Sequence, residues 1–424
     1  MLSIDYITNS KDDAIIGLKK RGFKNLDVLD SIIELNDNRK KIQQELDNIL
    51  FKSNTISKEI AEAFKSGNND IDIDSLKSES SNLKLQSKSL AEELDTVKIK
   101  ISDLITTVPN IPDSKVPDGL SEENNIEVFR SSNFKESGYN LKNHWDLSKE
   151  YDIIDFELGS KITGSGFPVY KGKGAKLQRA LINFFLDRNN SAGYNEFQVP
   201  HLVNSESAYA TGQLPDKDGQ MYHVINDDFY LIPTAEVPLT NIYRDKILAV
   251  DQVPIMMTGY TPCFRREAGS YGSDVRGLNR LHQFDKVEIV RIEHPDKSDD
   301  ALIKMKEHIK EILTELKIDF RILNLCAGDL GFTSSITYDF EVFSKGQEKW
   351  LEISSVSNFK TYQSNRLNLK FKDTDGKNYT LHTLNGSSLA LPRVMAGLIE
   401  NNQSENGIII PDVLVPYTGF DTIN

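Results

Sequence analysis

The chain has 424 residues, enough for two or three domains and at least one large core, with the 38% hydrophobic and 27% charged content of an ordinary globular protein. No apolar run approaches the ~20 residues of a membrane span, and the opening Met1-Leu-Ser-Ile-Asp-Tyr6 has no basic region leading into an apolar stretch, so neither a membrane helix nor a secretory leader is expected. A net charge of −13 argues against a uniformly basic nucleic-acid surface, although a local basic strip on an acidic body still serves such a partner.

Between about residues 30 and 105, Leu35, Ile42, Leu46, Ile49, Ile56 and Ile60 fall on a and d positions of a heptad frame. Leu76, Leu83, Leu90, Leu94, Val97, Ile101 and Leu104 resume it. The period predicts two long helices zipped antiparallel across a turn at Ser66-Gly-Asn-Asn-Asp70. At 1.5 Å per residue, helices of ~35 residues extend roughly 50 Å. Arg39, Ser53, Ser80 and Ser87 also fall on the seam and make it imperfect. Such a hairpin has little core of its own, so its outer faces serve either a further coiled-coil element or a partner. Ten lysines between Lys40 and Lys100 supply cations, roughly balanced by acidic residues.

Thr107-Val-Pro-Asn-Ile-Pro-Asp-Ser-Lys-Val-Pro-Asp-Gly119 carries three prolines and a glycine. It reads as a linker over 109–120, between an N-terminal domain of residues 1–108 and a second domain of 121–424. The second domain reads as α+β. Helices are expected at Ala175–Arg188 (Leu177, Leu181, Ile182 and Phe185 inward), at Ala301–Leu316 (Ile303, Met305, Ile309 and Leu313 inward) and at Leu389–Asn402. Strands are expected at Phe229–Pro233, Lys286–Ile292, Tyr338–Phe343 and Trp350–Ser354. Without a regular βαβ alternation, the sheet should be antiparallel and flanked by helices. Neither a Walker A sequence nor a Gly-x-Gly-x-x-Gly fingerprint occurs, which disfavours the two commonest nucleotide folds. The two cysteines, Cys263 and Cys326, are too few for a disulfide scaffold and fit a cytoplasmic setting.

Six stretches carry chemistry. Gly193-Tyr-Asn-Glu-Phe-Gln-Val-Pro-His201 reads as a strand ended by Pro200. Thr234-Ala235-Glu236 offers a hydroxyl and a carboxylate that suit an ammonium group and a small polar side chain, and suits a helix N-terminus equally well. Gly259-Tyr-Thr-Pro-Cys-Phe-Arg-Arg-Glu-Ala-Gly-Ser270 and Arg276-Gly-Leu-Asn-Arg-Leu-His-Gln-Phe-Asp-Lys-Val-Glu288 place Arg265, Arg266 and Glu267 at the end of one apolar run. They place Arg280, Phe284 and Glu288 in the next. Fixed guanidinium forks bind phosphate oxygens, and an aromatic face with an edge acceptor binds a purine. A salt-bridged hairpin is the plain alternative. Glu352-Ile353-Ser354-Ser355 closes a strand with oxygens suited to a Mg²⁺ that bridges ATP phosphates. Leu384-Asn-Gly-Ser-Ser-Leu-Ala-Leu-Pro-Arg393 reads as a turn opening a helix, with Arg393 about one turn in and able to reach a phosphate.

In this order, the segments at 193–200, 264–288 and 386–393 resemble motifs 1, 2 and 3 of class II aminoacyl-tRNA synthetases. With Thr234–Glu236, Glu352–Ser355 and the N-terminal hairpin, the chain resembles the bacterial seryl-tRNA synthetase family from end to end. That resemblance implies ATP-dependent activation of L-serine and its transfer to serine tRNA gripped by the hairpin, with selenocysteine tRNA an open question. It implies a serine pocket of Thr234, Ala235, Glu236, Arg265, Glu288, Asn385 and Ser387, leaving open which carboxylate takes the ammonium. Arg265 would bridge the serine carboxylate and the α-phosphate, Glu267 would read the adenine amino group, and Phe284 would stack on the ring. Arg280 and Arg393 would hold the outer phosphates, with Arg265 and Arg393 as the catalytic pair. Arg266 and the Glu352-Ile353-Ser354-Ser355 segment complete the ATP site, Glu352 and Ser355 binding Mg²⁺. Zinc is not expected, because the cysteine-containing ligand set of a divergent branch is missing. Motif 1 implies a homodimer with isologous contacts. Family members often carry Ser where this chain has Arg266, and Glu348-Lys-Trp-Leu351 lacks a cysteine often found there. A same-fold enzyme with another acceptor would generally lack the long arm, and a scaffold with a dead site would have lost some of these arginines or carboxylates.

Overall fold

The computed structural model describes residues 1–66, 72–131, 135–268 and 276–424. It divides into two compact units, one of residues 2–19 and 23–109, the other of Met1, 20–22 and 110–424.

In the first unit, α1 (Val28–Ser66) and α2 (Ile73–Ile105) form the expected antiparallel pair. Ile42, Leu46 and Ile56 of α1 and Leu83, Leu94, Val97 and Ile101 of α2 are buried, all of them heptad positions. Off the seam, Phe51 and Leu85 are 73% and 70% exposed, so the apolar stripe is narrow, as a two-helix seam requires. Asp72 starts α2 by accepting the Ser75 N–H at 3.0 Å, a side-chain N-cap. The turn expected at 66–70 lies mostly outside the described residues.

The second unit is built on one mixed sheet. Its strands are β1 (Ile126–Arg130), β2 (Asn195–Glu196), β3 (Ile255–Phe264), β4 (Gln283–Glu293), β5 (Phe320–Asn324), β6 (Ile336–Ser344), β7 (Lys349–Lys360) and β8 (His382–Ala390). Among the described residues the order is β1-β5-β6-β7-β8-β4-β3-β2, antiparallel throughout except for the short edge pair β2–β3. Helices α3 (Gly172–Ser191), α4 (Ser298–Glu315) and α5 (Leu391–Asn401) pack with the sheet in the larger apolar cluster. Val287 and Ile289 of β4 join that cluster, whereas Val290 and Ile292 join a second one with Ala235, Leu239 and Met257. The alternation of a strand therefore puts Glu288, two residues before Val290, on the second face. The proline-rich stretch expected as a linker lies against this unit: Val116 is buried, and the Asn110 amide donates to the carbonyls of Thr333 and Phe359, both at 2.8 Å.

Three local expectations differ from the structure. Asn385–Ser388 is not a turn but the middle of β8, hydrogen-bonded to β4 on one side and β7 on the other. Two-sided pairing overrides the local turn preference, and a Cβ on Gly386 would sit tightly, 3.1 Å from Val356. The strand expected up to Pro200 pairs only over Asn195–Glu196. On α4, Ile303 is half exposed, and Leu302, Met305, Ile309, Ile312 and Leu313 form the buried face instead. A step of one residue turns a helix by about 100°, which takes Ile303 off the stripe defined by Leu302.

Candidate active site

Sheet register gathers the chemistry at one end of β3, β4 and β8. Phe284, Lys286 and Glu288 stand at alternate positions of β4, and Ser387 of β8 is the direct partner of Glu288. Arg265 and Glu267 follow the last residue of β3, and Arg393 lies in the first turn of α5. Together they border an open cleft of about 530 Å³ whose lining includes Arg265, Glu267, Arg280, Phe284, Glu352, Ile353, Ser387 and Arg393, with Leu278, Asn279 and Lys286.

At the outer part of the cleft, the Arg265 guanidinium lies 5.2 Å from the centre of the Phe284 ring, while its Nε donates to the Pro233 carbonyl at 3.4 Å. Arg280 pairs with Glu267 at 3.2 Å, and Glu267 adopts a left-handed φ of 48°. This is the ion pair of the plain hairpin reading, yet it borders a cleft rather than a flat surface. Arg393 donates from Nε to the Asn279 carbonyl at 2.9 Å and from one terminal nitrogen to the Glu352 carbonyl at 2.7 Å. Two backbone acceptors thus fix its fork.

Thr234, Glu236 and Glu288 are not in this lining; they form a buried polar cluster next to Lys286, which does line the cleft. Lys286 Nζ sits 2.7 Å from a Glu288 carboxylate oxygen and 3.1 Å from the Thr234 hydroxyl, and Thr234 donates to Glu288 at 3.3 Å. Glu236 opens a short helix, Glu236–Asn241, and accepts from the Gln363 amide at 2.6 Å; Gln363 in turn accepts from the Thr383 hydroxyl at 2.7 Å. Burial first, and then the charge of Glu288, push the Glu236 carboxyl up to about 7. Glu288 has a lysine to neutralise it, whereas Glu236 has a neutral amide.

Glu352 and Ser355 lie on β7, and Ser355 pairs in register with Asp339 of β6. Burial and the nearby Glu352 carboxylate push the Asp339 carboxyl well above its usual range. Among the described residues no three His, Cys, Asp or Glu side chains gather as a metal-ligand set. The exposed Glu352 carboxylate borders the cleft, whereas the Ser355 hydroxyl bonds to Asp339 and is not in its lining. Both are oxygen ligands of the kind taken by a Mg²⁺, which uses few protein ligands and keeps its other positions for water and phosphate.

The family described as tRNA synthetase class II core domain (G, H, P, S and T) matches residues 222–402, and the seryl-tRNA synthetase N-terminal domain family matches residues 1–112. A serine–tRNA ligase of Salinibacter ruber is 45% identical over 100% of this chain and 99% of its own length. One of Chlorobaculum parvum is 43% identical over 100% of both. The chain belongs to the seryl-tRNA synthetase family. The crystal structure of seryl-tRNA synthetase from Pyrococcus horikoshii complexed with ATP is similar at a TM-score of 0.90 and 32% identity, covering 100% of this chain and 99% of that one. A prolyl-tRNA synthetase of Giardia lamblia, at 12% identity and a TM-score of 0.57 over 66% of this chain and 58% of its own, shares the fold alone.

Within this seryl-tRNA synthetase family chain, not every residue singled out from the sequence borders the cleft. Arg266 is exposed and absent from the lining, its N–H bonded to the Gln220 carbonyl at 2.9 Å. Asn385 is nearly buried opposite Val290, and Ala235 is fully buried in the second apolar cluster. Ser354 donates to the Ser387 carbonyl at 2.6 Å and so ties β7 to β8. Lys286 and Gln363 were not singled out. Lys286 had a signal, standing midway between Phe284 and Glu288 in a period of two; Gln363 had none, because it meets Glu236 from 127 residues away.

Proposed function

We infer that the 110–424 unit activates L-serine with ATP to give seryl-adenylate and pyrophosphate. It then passes the seryl group to the 3′ end of serine tRNA, held by the α1–α2 arm. The observation that carries this reading is the continuity of a buried two-carboxylate pocket, Glu236 and Glu288 with Thr234 and Lys286, with an arginine-lined cleft that presents an aromatic ring.

A serine carboxylate is already a nucleophile, so its oxygen attacks the α-phosphorus without a general base while the bond to pyrophosphate breaks. Arg265, between the inner pocket and Phe284, is placed to bind both the serine carboxylate and the α-phosphate; Arg393 and Arg280 take the outer phosphates. Phe284 offers the adenine a face, and Glu267 offers its amino group an acceptor. Glu352 and Ser355 would hold the Mg²⁺ that accompanies ATP, and that ion supplies neutralisation of phosphate charge. In the second step the terminal ribose hydroxyl of tRNA attacks the adenylate carbonyl, and AMP leaves.

Charge balance supports one division of roles between the pocket carboxylates. Glu288, paired with Lys286 and Thr234, serves with Ser387 for the serine hydroxyl, and Glu236 takes the ammonium. The short edge strand β2 lies where motif 1 of this family falls, which supports a two-fold homodimer. Residues 1–108 act as the tRNA-binding module and 121–424 as the catalytic domain.

This assignment has a pH signature in serine-dependent exchange of pyrophosphate into ATP. Only ionised Glu236 pairs with an ammonium, so a proton competes with serine once pH falls below about 7. The KM for serine should then climb by up to about tenfold per pH unit, with the KM for ATP changing much less. Glu236→Gln should raise the serine KM by ~10²-fold at pH 8 and flatten this dependence. A serine KM that stays level from pH 8 to pH 6 would move the ammonium site elsewhere.

A further inference from the structure

We propose that the buried His144–Glu400 pair, which lies outside the cleft, positions the nucleotide side of the active site by holding residues 276–280 and, through them, Arg393. The proposal rests on the ATP-site reading above.

Both side chains are completely buried. The His144 Nε2 accepts the Leu278 N–H at 2.8 Å, so the ring proton stays on Nδ1 and is donated to Glu400 Oε1 at 2.7 Å. The same carboxylate oxygen accepts the His144 backbone N–H at 2.9 Å and the Gln347 amide at 3.1 Å. Its other oxygen accepts from the Ser344 hydroxyl and from the Gly346 N–H. Gln347 then accepts from the Asn279 amide at 2.8 Å, and the Asn279 carbonyl receives Arg393 Nε at 2.9 Å. Two chains of bonds therefore run from Glu400 to the cleft, one through His144 to Leu278, the other through Gln347 and Asn279 to Arg393. Leu278, Asn279, Arg280 and Arg393 all line it.

The backbone is shaped around the pair. Gly277 has a φ of 67°, and a Cβ there would lie 2.1 Å from His144 Nε2 and 2.9 Å from the Trp145 ring. A Cβ on Gly346 would lie 2.9 Å from Glu400. Arg276 stacks on Trp145 with its guanidinium carbon 4.5 Å from the ring centre. Burial raises the Glu400 carboxyl, but the hydrogen bonds from His144 and from the Ser344 hydroxyl outweigh it and hold the group below its usual range. Burying so many polar groups is a weak route to stability compared with apolar packing. What the cluster adds is register, fixing a backbone N–H and a carbonyl whose neighbours must meet a triphosphate.

The test is steady-state pyrophosphate exchange by the full-length protein, with the parent, His144→Gln, His144→Asn, His144→Ala and Gln347→Met measured side by side with their thermal melts. A glutamine carbonyl falls near Nε2 and can still accept from Leu278, whereas an asparagine amide falls near Nδ1 and cannot. Expected is a ~10- to 100-fold loss of kcat/KM for ATP in the Asn and Ala variants, with serine KM within about twofold of the parent and substantial rescue by Gln. Gln347 is half-buried at a hairpin tip, and its variant should fold and raise the ATP KM by about threefold or more. Parental ATP kinetics in folded His144 variants, or identical Gln and Asn variants, would overturn the proposal. If the His144 variants do not fold, a parental ATP KM in Gln347→Met overturns it alone. A parent without serine-dependent exchange would instead overturn the ATP-site reading, and this proposal with it.

Discussion

Arg265→Ala should lower kcat/KM for serine-dependent pyrophosphate exchange by ~10³-fold or more while leaving the protein folded. The side chain stands where the inner pocket meets the cleft, over the Phe284 ring and against the Pro233 carbonyl. In the proposed reaction it binds the serine carboxylate and the α-phosphate together, so its loss should leave two negative groups facing each other without that cation between them. Arg265 is absent from the buried core, so its removal should shift the melting temperature little. Arg265→Lys should recover only a small part of the loss, because an ammonium is a point charge without the two-pronged geometry that orients carboxylate and phosphate. Stopped-assay exchange kinetics beside a thermal melt decide the matter. Activity within about tenfold of the parent in a folded Arg265→Ala protein would assign the bridging role to another group.

Shortening the arm should separate the two half-reactions. Removing residues 50–89 and joining Ile49 to Leu90 through a short glycine-rich turn deletes the outer hairpin. It leaves the inner seam of Ile42, Leu46, Leu94, Val97 and Ile101 in place. The catalytic unit has its own core, independent of that seam. Exchange should stay within about twofold of the parent, whereas aminoacylation of serine tRNA should fall by ~10³-fold, since binding energy from a remote contact is what brings the acceptor end into place. Charging that survives the deletion would remove the arm from tRNA recognition. Exchange lost along with charging would mean that the arm supports the catalytic unit itself.

Signals that repeat, or that sit on one strand, were legible in the sequence. The heptads of the arm recur from Leu35 to Leu104 on both sides of the turn, and each buried seam position answers to the same period. Phe284 and Glu288 were readable because alternation along β4 puts them on one face. The same alternation marks Lys286 between them, whose ammonium lies 2.7 Å from the Glu288 carboxylate. Asn385–Ser388 has the sequence of a turn, because Asn, Gly and Ser favour turns locally, whereas a central strand is fixed by partners distant in sequence. Gln363 beside Glu236, and His144 beside Glu400 across 256 residues, carry no local signature at all. Only the folded sheet brings them together.

Serine selectivity in the first step is the most direct test. Pyrophosphate exchange into ATP would be measured with Mg²⁺ and each of the twenty amino acids in turn, using the dialysed full-length protein. Exchange with serine, and near-background exchange with alanine and threonine, is the expected result: alanine leaves the acceptors of Glu288 and Ser387 unpaired, and threonine brings a methyl group into a filled pocket. Equal exchange with alanine, or none with any amino acid from folded protein, would contradict a serine-activating site.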